Sequence, residues 1–193
     1  DASLAPGFPA EIVRVISNVP GAGGLERAST AGIPTAVVPH KDYPDRGSFE
    51  SALDQEIRSA GTELIALAGF MRLFTGGFVD MWRDRLINIH PSLLPSFKGL
   101  HTHERALEAG VRYTGCTVHY VRPAMDEGPI IVQSAVPVLS EDDADTLAGR
   151  VLVQEHAIYP LAVRLIAEGR VRVDGERAVI DGENVQAPGA TIN

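Results

Sequence analysis

Residues 86–95 read "LINIHPSLLP", an apolar run that ends in polar side chains and prolines. Asn88 and His90 are two positions apart, so a β-strand would direct both side chains to the same face of a sheet. The segment that follows is flanked by Pro91 and Pro95, which restrict the direction in which the chain can leave the sheet. The stretch predicts a buried strand whose carboxyl end carries an amide and an imidazole.

Strand-like and helix-like segments alternate around this stretch. Three segments rich in β-branched or apolar residues predict strands: 11–18, 33–39 and 63–70. The last is nearly all apolar, as expected for a central parallel strand that is covered on both faces. Four segments predict helices: 23–32, 48–61 (with Ser48 as the cap), 76–85 and 101–110.

The carboxyl-terminal part changes in character from residue 113. Segments 113–121 and 128–139 predict an antiparallel pair, and segment 141–169 predicts a long helix that Pro160 should kink or split. Segment 170–181 predicts a hairpin with Asp174 and Gly175 at its turn. The predicted fold is one α/β domain over 1–193: an open, mostly parallel, doubly wound sheet with an antiparallel extension, a long C-terminal helix and a terminal hairpin. Ligands of such sheets bind beyond the carboxyl ends of the strands.

Composition narrows the class of protein. The 193 residues are 45% hydrophobic with a net charge of −8, which fits one globular domain and argues against broad binding to nucleic acid or anionic lipid. Cys116 is the single cysteine, so no internal disulfide is possible and a reducing, cytoplasmic location is expected. No apolar run in the sequence reaches membrane-spanning length.

Three polar residues are candidates for catalysis. The Asn88 amide could donate a hydrogen bond to a developing oxyanion, and His90 could donate or accept a proton near neutral pH. Asp126, in "AMDEGP", could favour the charged form of a nearby imidazole or pass a proton through water. In the alternative interpretation, Asn88 and His90 satisfy backbone groups and Asp126 is an ordinary turn residue. Spacing alone does not bring Asp126 to His90.

Other polar or exposed segments carry weaker signals. Segment 68–74, "AGFMRLF", could bind a flat heterocycle through its backbone, or it could be a packed strand-to-helix junction. His101 and His103 have the spacing of metal ligands, but no HExxH motif or cysteine cluster accompanies them, and capping or surface roles are favoured. Glu155 could bind the hydroxyls or an amine of a ligand, or it could lie on a solvated helix face. No GxGxxG or Walker A loop occurs.

Five motifs together resemble one family: "LAGFMRLF", "INIHPSLLPSFKGLHTHERAL", "GCTVHYV", "MDEGPIIVQ" and "QEHAIYPL". They closely resemble the phosphoribosylglycinamide formyltransferases of purine biosynthesis. The resemblance implies transfer of a formyl group from 10-formyltetrahydrofolate, as co-substrate, to the amine of glycinamide ribonucleotide. It implies no metal, no nucleic-acid partner and no membrane, and it leaves a homodimer open.

The resemblance also implies roles for individual residues. Asn88, His90 and Asp126 fall on catalytic positions, and Glu155 falls on one that holds the ribonucleotide. Leu152 stands where relatives can carry a polar side chain toward that substrate. The implied folate-binding residues are Arg46, Met71, Arg72, Leu73, Phe74, Arg122, Pro123, Ala124 and Met125.

One departure from the family lies at the start of the sequence. The family begins with a strand and a glycine-rich loop that holds the substrate phosphate, whereas this sequence opens with "DASLAPGFP". A sheet without that central strand should expose the two neighbouring strands.

Three alternative functions remain open: a formyltetrahydrofolate hydrolase with the same three catalytic residues, a related tRNA formyltransferase, and a binding module without catalysis.

Overall fold

A computed structural model of the protein describes residues 1–181 and 190–191. The helices are α1 (Gly23–Thr30), α2 (Arg46–Ser59), α3 (Gly76–Met81), α4 (Thr102–Glu108) and α5 (Ala144–Ala167), with 3-10 turns at Ala2–Leu4 and His40–Asp42. The strands are β1 (Val15–Ser17), β2 (Thr35–Val37), β3 (Ile65–Leu67), β4 (Leu86–His90), β5 (Tyr113–Tyr120), β6 (Ile130–Pro137), β7 (Val171–Asp174), β8 (Arg177–Ile180) and β9 (Ala190–Thr191).

The strands form one mixed sheet and two smaller pairs. The sheet has the order β3-β4-β5-β6-β9, in which β3 and β4 are parallel and the remaining neighbours are antiparallel. Strands β1 and β2 form a separate parallel pair, and β7 and β8 form an antiparallel hairpin. The predicted α/β fold is confirmed, together with its antiparallel extension, long carboxyl-terminal helix and hairpin. The described five-stranded sheet is mixed rather than mostly parallel, because only β3 and β4 pair in parallel in it.

The larger of two hydrophobic clusters, which we call the carboxyl cluster, is formed where α5 packs against β5 and β6. Val118, Leu147 and Ile158 are fully buried in it, and burial of such side chains stabilises the fold by about 1.5–3 kcal/mol each. Helix α5 continues through Pro160, so the prediction that proline splits it is wrong. The fully buried Ile158 and Ala162 hold both sides of the proline against the sheet.

The smaller cluster, which we call the amino cluster, includes Phe49, Phe78, Trp82 and Leu86 and packs α2 and α3 beneath β3. Next to it, a groove of about 130 Å³ runs between β1 and β3 and is lined by residues of both strands. Within 1–181 and 190–191, β1 pairs only with β2 and β3 only with β4. The facing edges of β1 and β3 are therefore open, which is the exposure of two strands that the sequence predicts.

The open edge changes the environment of β3. Ile65 and Leu67 are half-buried and Ala66 is exposed, so the prediction that segment 63–70 is covered on both faces is wrong. A strand edge needs a neighbour to complete its layer, and no described strand supplies one at this edge.

Two local predictions shift by a few residues. Helix α2 is capped by Asp45, whose carboxylate accepts a hydrogen bond from the Ser48 amide at 2.8 Å. Asp45 therefore replaces Ser48 as the cap, because an aspartate three residues earlier can reach that amide. In the hairpin, Asp174 pairs with Arg177, so the turn residues are Gly175 and Glu176, one position later than predicted. None of the helices in 1–181 is both long and apolar enough to cross a membrane.

Candidate active site

The site is built at the carboxyl end of β4. Asn88 is half-buried and His90 is 6% exposed, and their spacing on the strand directs both side chains to one face. Across the antiparallel ladder, Asn88 lies opposite His119 and His90 lies opposite Thr117. The strand thus presents an amide and an imidazole side by side at the sheet edge where ligands of α/β proteins bind.

Asp126 meets His90 in space. Its Oδ1 lies 3.4 Å from His90 Nδ1, and its Oδ2 accepts a hydrogen bond of 2.7 Å from the Gly99 amide. Asp126 is a non-glycine residue in the left-handed region, with φ of 51°, a conformation that aspartate tolerates better than most residues. The structure therefore brings together two residues that are 36 positions apart in the sequence.

The second ring nitrogen of His90 also faces an oxygen. Nε2 lies 3.1 Å from the Phe97 carbonyl, so each nitrogen is opposite an acceptor. Only the imidazolium can donate from both nitrogens at once. An imidazolium at His90 could therefore donate one hydrogen bond to Asp126 and one to the Phe97 carbonyl.

Two residues that the sequence analysis missed hold the segment after His90. Thr117 Oγ1 accepts a hydrogen bond from the Leu94 amide at 3.1 Å and donates one to the Ser92 carbonyl at 2.7 Å. Gln133 Nε2 donates to the Leu94 carbonyl at 2.9 Å. Gln133 could have been noticed in the sequence as a polar residue in the mostly apolar β6, whereas Thr117 is one of several polar residues in β5 and gives no comparable signal.

The neighbouring histidines do not assemble a metal site. His119 is 2% exposed, and burial lowers its pKa, with the hydrogen bond to the Tyr120 carbonyl acting in the opposite direction. Burial also lowers the pKa of His103. His101 is exposed, with Nδ1 3.3 Å from Glu104. The part of the chain that the structure describes holds no group of three His, Cys, Asp or Glu side chains able to bind a metal ion.

Segment 70–75 exposes most of the side chains predicted to bind folate. Met71 is 73% exposed and Leu73 is 54% exposed, and Arg72 is exposed as well. Phe74 instead packs inward, with its ring 4.3 Å from that of Phe78 in a stacked arrangement. Three of these four side chains are thus accessible to a ligand, and Phe74 contributes to the wall beneath them.

The loop from Val121 to Gly128 contains the other predicted folate-binding residues. The side chains of Pro123, Ala124 and Met125 are exposed. Arg122 differs, because its side chain is only 7% exposed and its guanidinium binds Asp84 and Glu176, each at 2.8 Å. The Arg122 side chain is therefore occupied within the protein, and its backbone is the part left for a ligand.

The remaining candidates lie on helices. Arg46 is exposed at the first residue of α2. Leu152 is 47% exposed on α5, whereas Glu155 is half-buried on the same helix. Burial raises the pKa of the Glu155 carboxyl, and the charges of His156 and His90 act in the opposite direction.

Comparison with known proteins identifies the family of the chain. The family model described as formyl transferase matches residues 1–163. The chain belongs to the formyl transferase family. The hairpin β7–β8 lies outside the matched residues, so any part that it plays in the site is a property that the family model does not describe.

Individual relatives give finer detail. The phosphoribosylglycinamide formyltransferase of Escherichia coli (strain K12) is 43% identical over 175 residues, which cover 91% of this chain and 82% of the relative. A structure of phosphoribosylglycinamide formyltransferase from Coxiella burnetii, in complex with CHES, has a TM-score of 0.88 and 45% identity, and the match covers 92% of this chain and 83% of that one. The trifunctional purine biosynthetic protein adenosine-3 of Bos taurus is 49% identical over 173 residues, but this chain spans only 17% of its length.

Proposed function

We propose that this protein transfers a formyl group from 10-formyltetrahydrofolate to the amine of glycinamide ribonucleotide. The observation that carries the proposal is the contact of 3.4 Å between His90 and Asp126, next to the half-buried Asn88 on the same strand face. Family membership and the names of the relatives with 43% and 45% identity support the choice of substrates.

The proposed reaction needs no nucleophile from the protein. The substrate amine attacks the formyl carbon, the C=O double bond becomes a C–O⁻ single bond, and the C–N bond to the folate then breaks. Asn88 and the imidazolium of His90 donate hydrogen bonds to the oxyanion, with His90 Nε2 exchanging the Phe97 carbonyl for that oxygen. One oxyanion donor contributes about 2.7–4 kcal/mol to the lowering of the barrier.

Asp126 has two roles in this scheme. Its carboxylate stabilises the charged form of His90, and through a water molecule it carries the proton from the attacking nitrogen to the nitrogen of the departing folate. The Gly99 amide fixes one carboxylate oxygen at 2.7 Å, so the other is directed at the ring. Pre-positioning of this kind is a large part of the rate enhancement in two-substrate reactions.

The two substrates would bind on either side of this centre. The exposed residues Met71, Arg72 and Leu73, with the backbone of 122–125, form the proposed folate side, and Arg46 is a further proposed folate contact. Glu155 would hold the ribonucleotide, with Leu152 as an apolar neighbour. The proposal treats 1–193 as one cytoplasmic formyltransferase domain in which no metal takes part.

An assay of formyl transfer tests the proposal. Purified protein is mixed with 10-formyltetrahydrofolate in three reactions: without an acceptor, with glycinamide ribonucleotide, and with initiator tRNA. Formyl product and tetrahydrofolate that form together, and only with the ribonucleotide, support the proposal. Folate release without an acceptor identifies a hydrolase, formylated tRNA identifies a tRNA enzyme, and no turnover in any reaction contradicts an enzymatic function. His101→Ala, on an exposed side chain whose Nδ1 lies 3.3 Å from Glu104, is the matched control for His90→Ala.

A further inference from the structure

The loop that presents Asp126 to His90 has few apolar contacts of its own. Its side chains at 123–125 are exposed, so burial of apolar surface does little to fix its position. At its far end, Gly128 has φ of 123°, and a Cβ there would collide with the Tyr120 carbonyl. Tight backbone packing therefore fixes the Gly128 end of the loop.

Arg122 holds the beginning of the loop. Its guanidinium donates from Nη2 to Asp84 at 2.8 Å and from Nε to Glu176 at 2.8 Å, and Nη1 donates to the Val121 carbonyl at 3.2 Å. All three nitrogens are therefore used, by a side chain that is 7% exposed. A planar guanidinium fixed on two carboxylates defines both position and orientation, which a lysine in the same place would not do.

Glu176 comes from a different part of the chain, the turn of the β7–β8 hairpin. A second arginine, Arg83, binds its other carboxylate oxygen at 2.9 Å. The hydrogen bond from Arg122 is the largest of the interactions that lower the pKa of the Glu176 carboxyl, so this carboxylate is charged at neutral pH. The hairpin turn thereby links the start of the Asp126 loop to the turn before β4.

We propose that Glu176 is a positioning residue that acts through Arg122 to hold the loop carrying Asp126 against His90. The inference rests on the proposed function for its link to catalysis. It assigns a role in the site to the hairpin, which lies beyond the residues that the family model matches. Loss of the Glu176 carboxylate would free the start of the loop and lengthen the time that Asp126 spends away from the ring.

The test combines steady-state kinetics with hydrogen exchange. Glu176→Ala, Glu176→Gln, Arg122→Met and the double variant are compared with Asp174→Asn, which removes an exposed ion pair to Arg172 in the same hairpin. We expect Glu176→Ala to lower kcat by about threefold to thirtyfold, the rate equivalent of the coupling typical of neighbouring charged groups. Glu176→Gln, which still accepts a hydrogen bond, should fall between Glu176→Ala and the parent protein.

Three results distinguish positioning from a merely structural role. Amides 124–127 should exchange faster in Glu176→Ala, while its midpoint of thermal unfolding equals that of Asp174→Asn. In the double variant, Glu176→Ala should add nothing to the loss of kcat already caused by Arg122→Met. Additive losses, or kinetics and exchange that match Asp174→Asn, would overturn the proposal. The exchange measurement requires no substrate, so it tests the anchoring even if the parent protein proves inactive, an outcome that would count against the proposed function alone.

Discussion

The two hydrophobic clusters differ in how completely they are closed. In the carboxyl cluster, β5 and β6 lie beneath the long helix α5, and Val118, Leu147 and Ile158 are fully buried. In the amino cluster, β3 is half-exposed and a groove separates it from β1. Strand β4 runs along the boundary, and every contact that fixes His90 comes from the closed side or from the loops attached to it. The geometry of the proposed catalytic residues therefore depends on the carboxyl cluster.

The largest expected effect comes from the core of the closed side. Ile158→Ala should lower the free energy of unfolding by about 2–5 kcal/mol, because it opens a cavity among fully buried neighbours. Ile65→Ala, the same kind of truncation at the half-buried edge of the groove, should cost about 1 kcal/mol or less, since its surroundings are already open to solvent. Urea unfolding of both variants measures the difference, and equal losses would show that the two clusters are equally closed.

The next largest effect concerns catalysis at the boundary. His90→Ala and Asp126→Asn should each reduce turnover at least a hundredfold, about 2.7 kcal/mol of transition-state stabilisation. The circular dichroism spectra should match that of the parent protein. His101→Ala should retain the parent rate. Turnover close to that of the parent in either site variant would reject the roles assigned to these residues.

A smaller effect is expected for the hydrogen bonds behind His90. Thr117→Val leaves the Leu94 amide and the Ser92 carbonyl without their buried partner. We expect a loss of about 1–3 kcal/mol in unfolding free energy for such a group. Thr30→Val, at an exposed helix position where the hydroxyl donates to the Glu26 carbonyl, should change stability by about 0.5 kcal/mol or less. Similar losses in the two variants would mean that the segment after His90 is not anchored by Thr117.

The smallest effect is a dependence on pH. Burial lowers the folded-state pKa of His119 below its ordinary value of 6.5, so below that pH the unfolded chain binds more protons than the folded one. The free energy of unfolding should therefore fall as the pH drops below 6.5, by at most about 1.4 kcal/mol per pH unit from this residue. His119→Leu should flatten this dependence, whereas His101→Ala should leave it unchanged. A steeper slope in His119→Leu would contradict the assignment.

The features that could be predicted from the sequence are those that follow from the regular geometry of β-strands. Asn88 and His90 share a face because strands have a period of two, and the antiparallel pair from residue 113 follows from two apolar runs joined by a short loop. The contact between His90 and Asp126 depends on how β4 and β5 pair, and local patterns carry no such long-range information. For the same reason, the ion pair between Arg122 and Glu176, 54 residues apart, could not be predicted from spacing.

Other predictions from the sequence differ from the structure where tertiary contacts override the local preference of a segment. Pro160 was expected to kink or split α5, but the helix is not split, and buried residues lie on both sides of the proline. Segment 63–70 has the composition of a covered central strand, yet β3 has an open edge because its environment depends on a neighbouring strand and not on its own residues. Asp45 and Ser48 are both good capping residues, and only the geometry distinguished them.

The central claim is that Asn88 and His90 donate to one carbonyl oxygen while Asp126 supports the ring. A crystal structure with glycinamide ribonucleotide and an unreactive analogue of formyltetrahydrofolate tests this most directly. The account predicts that the oxygen equivalent to the formyl oxygen lies about 2.7–3.1 Å from both Asn88 Nδ2 and a ring nitrogen of His90, with Asp126 still facing the other nitrogen. An analogue whose oxygen is bound away from Asn88 and His90 would contradict it.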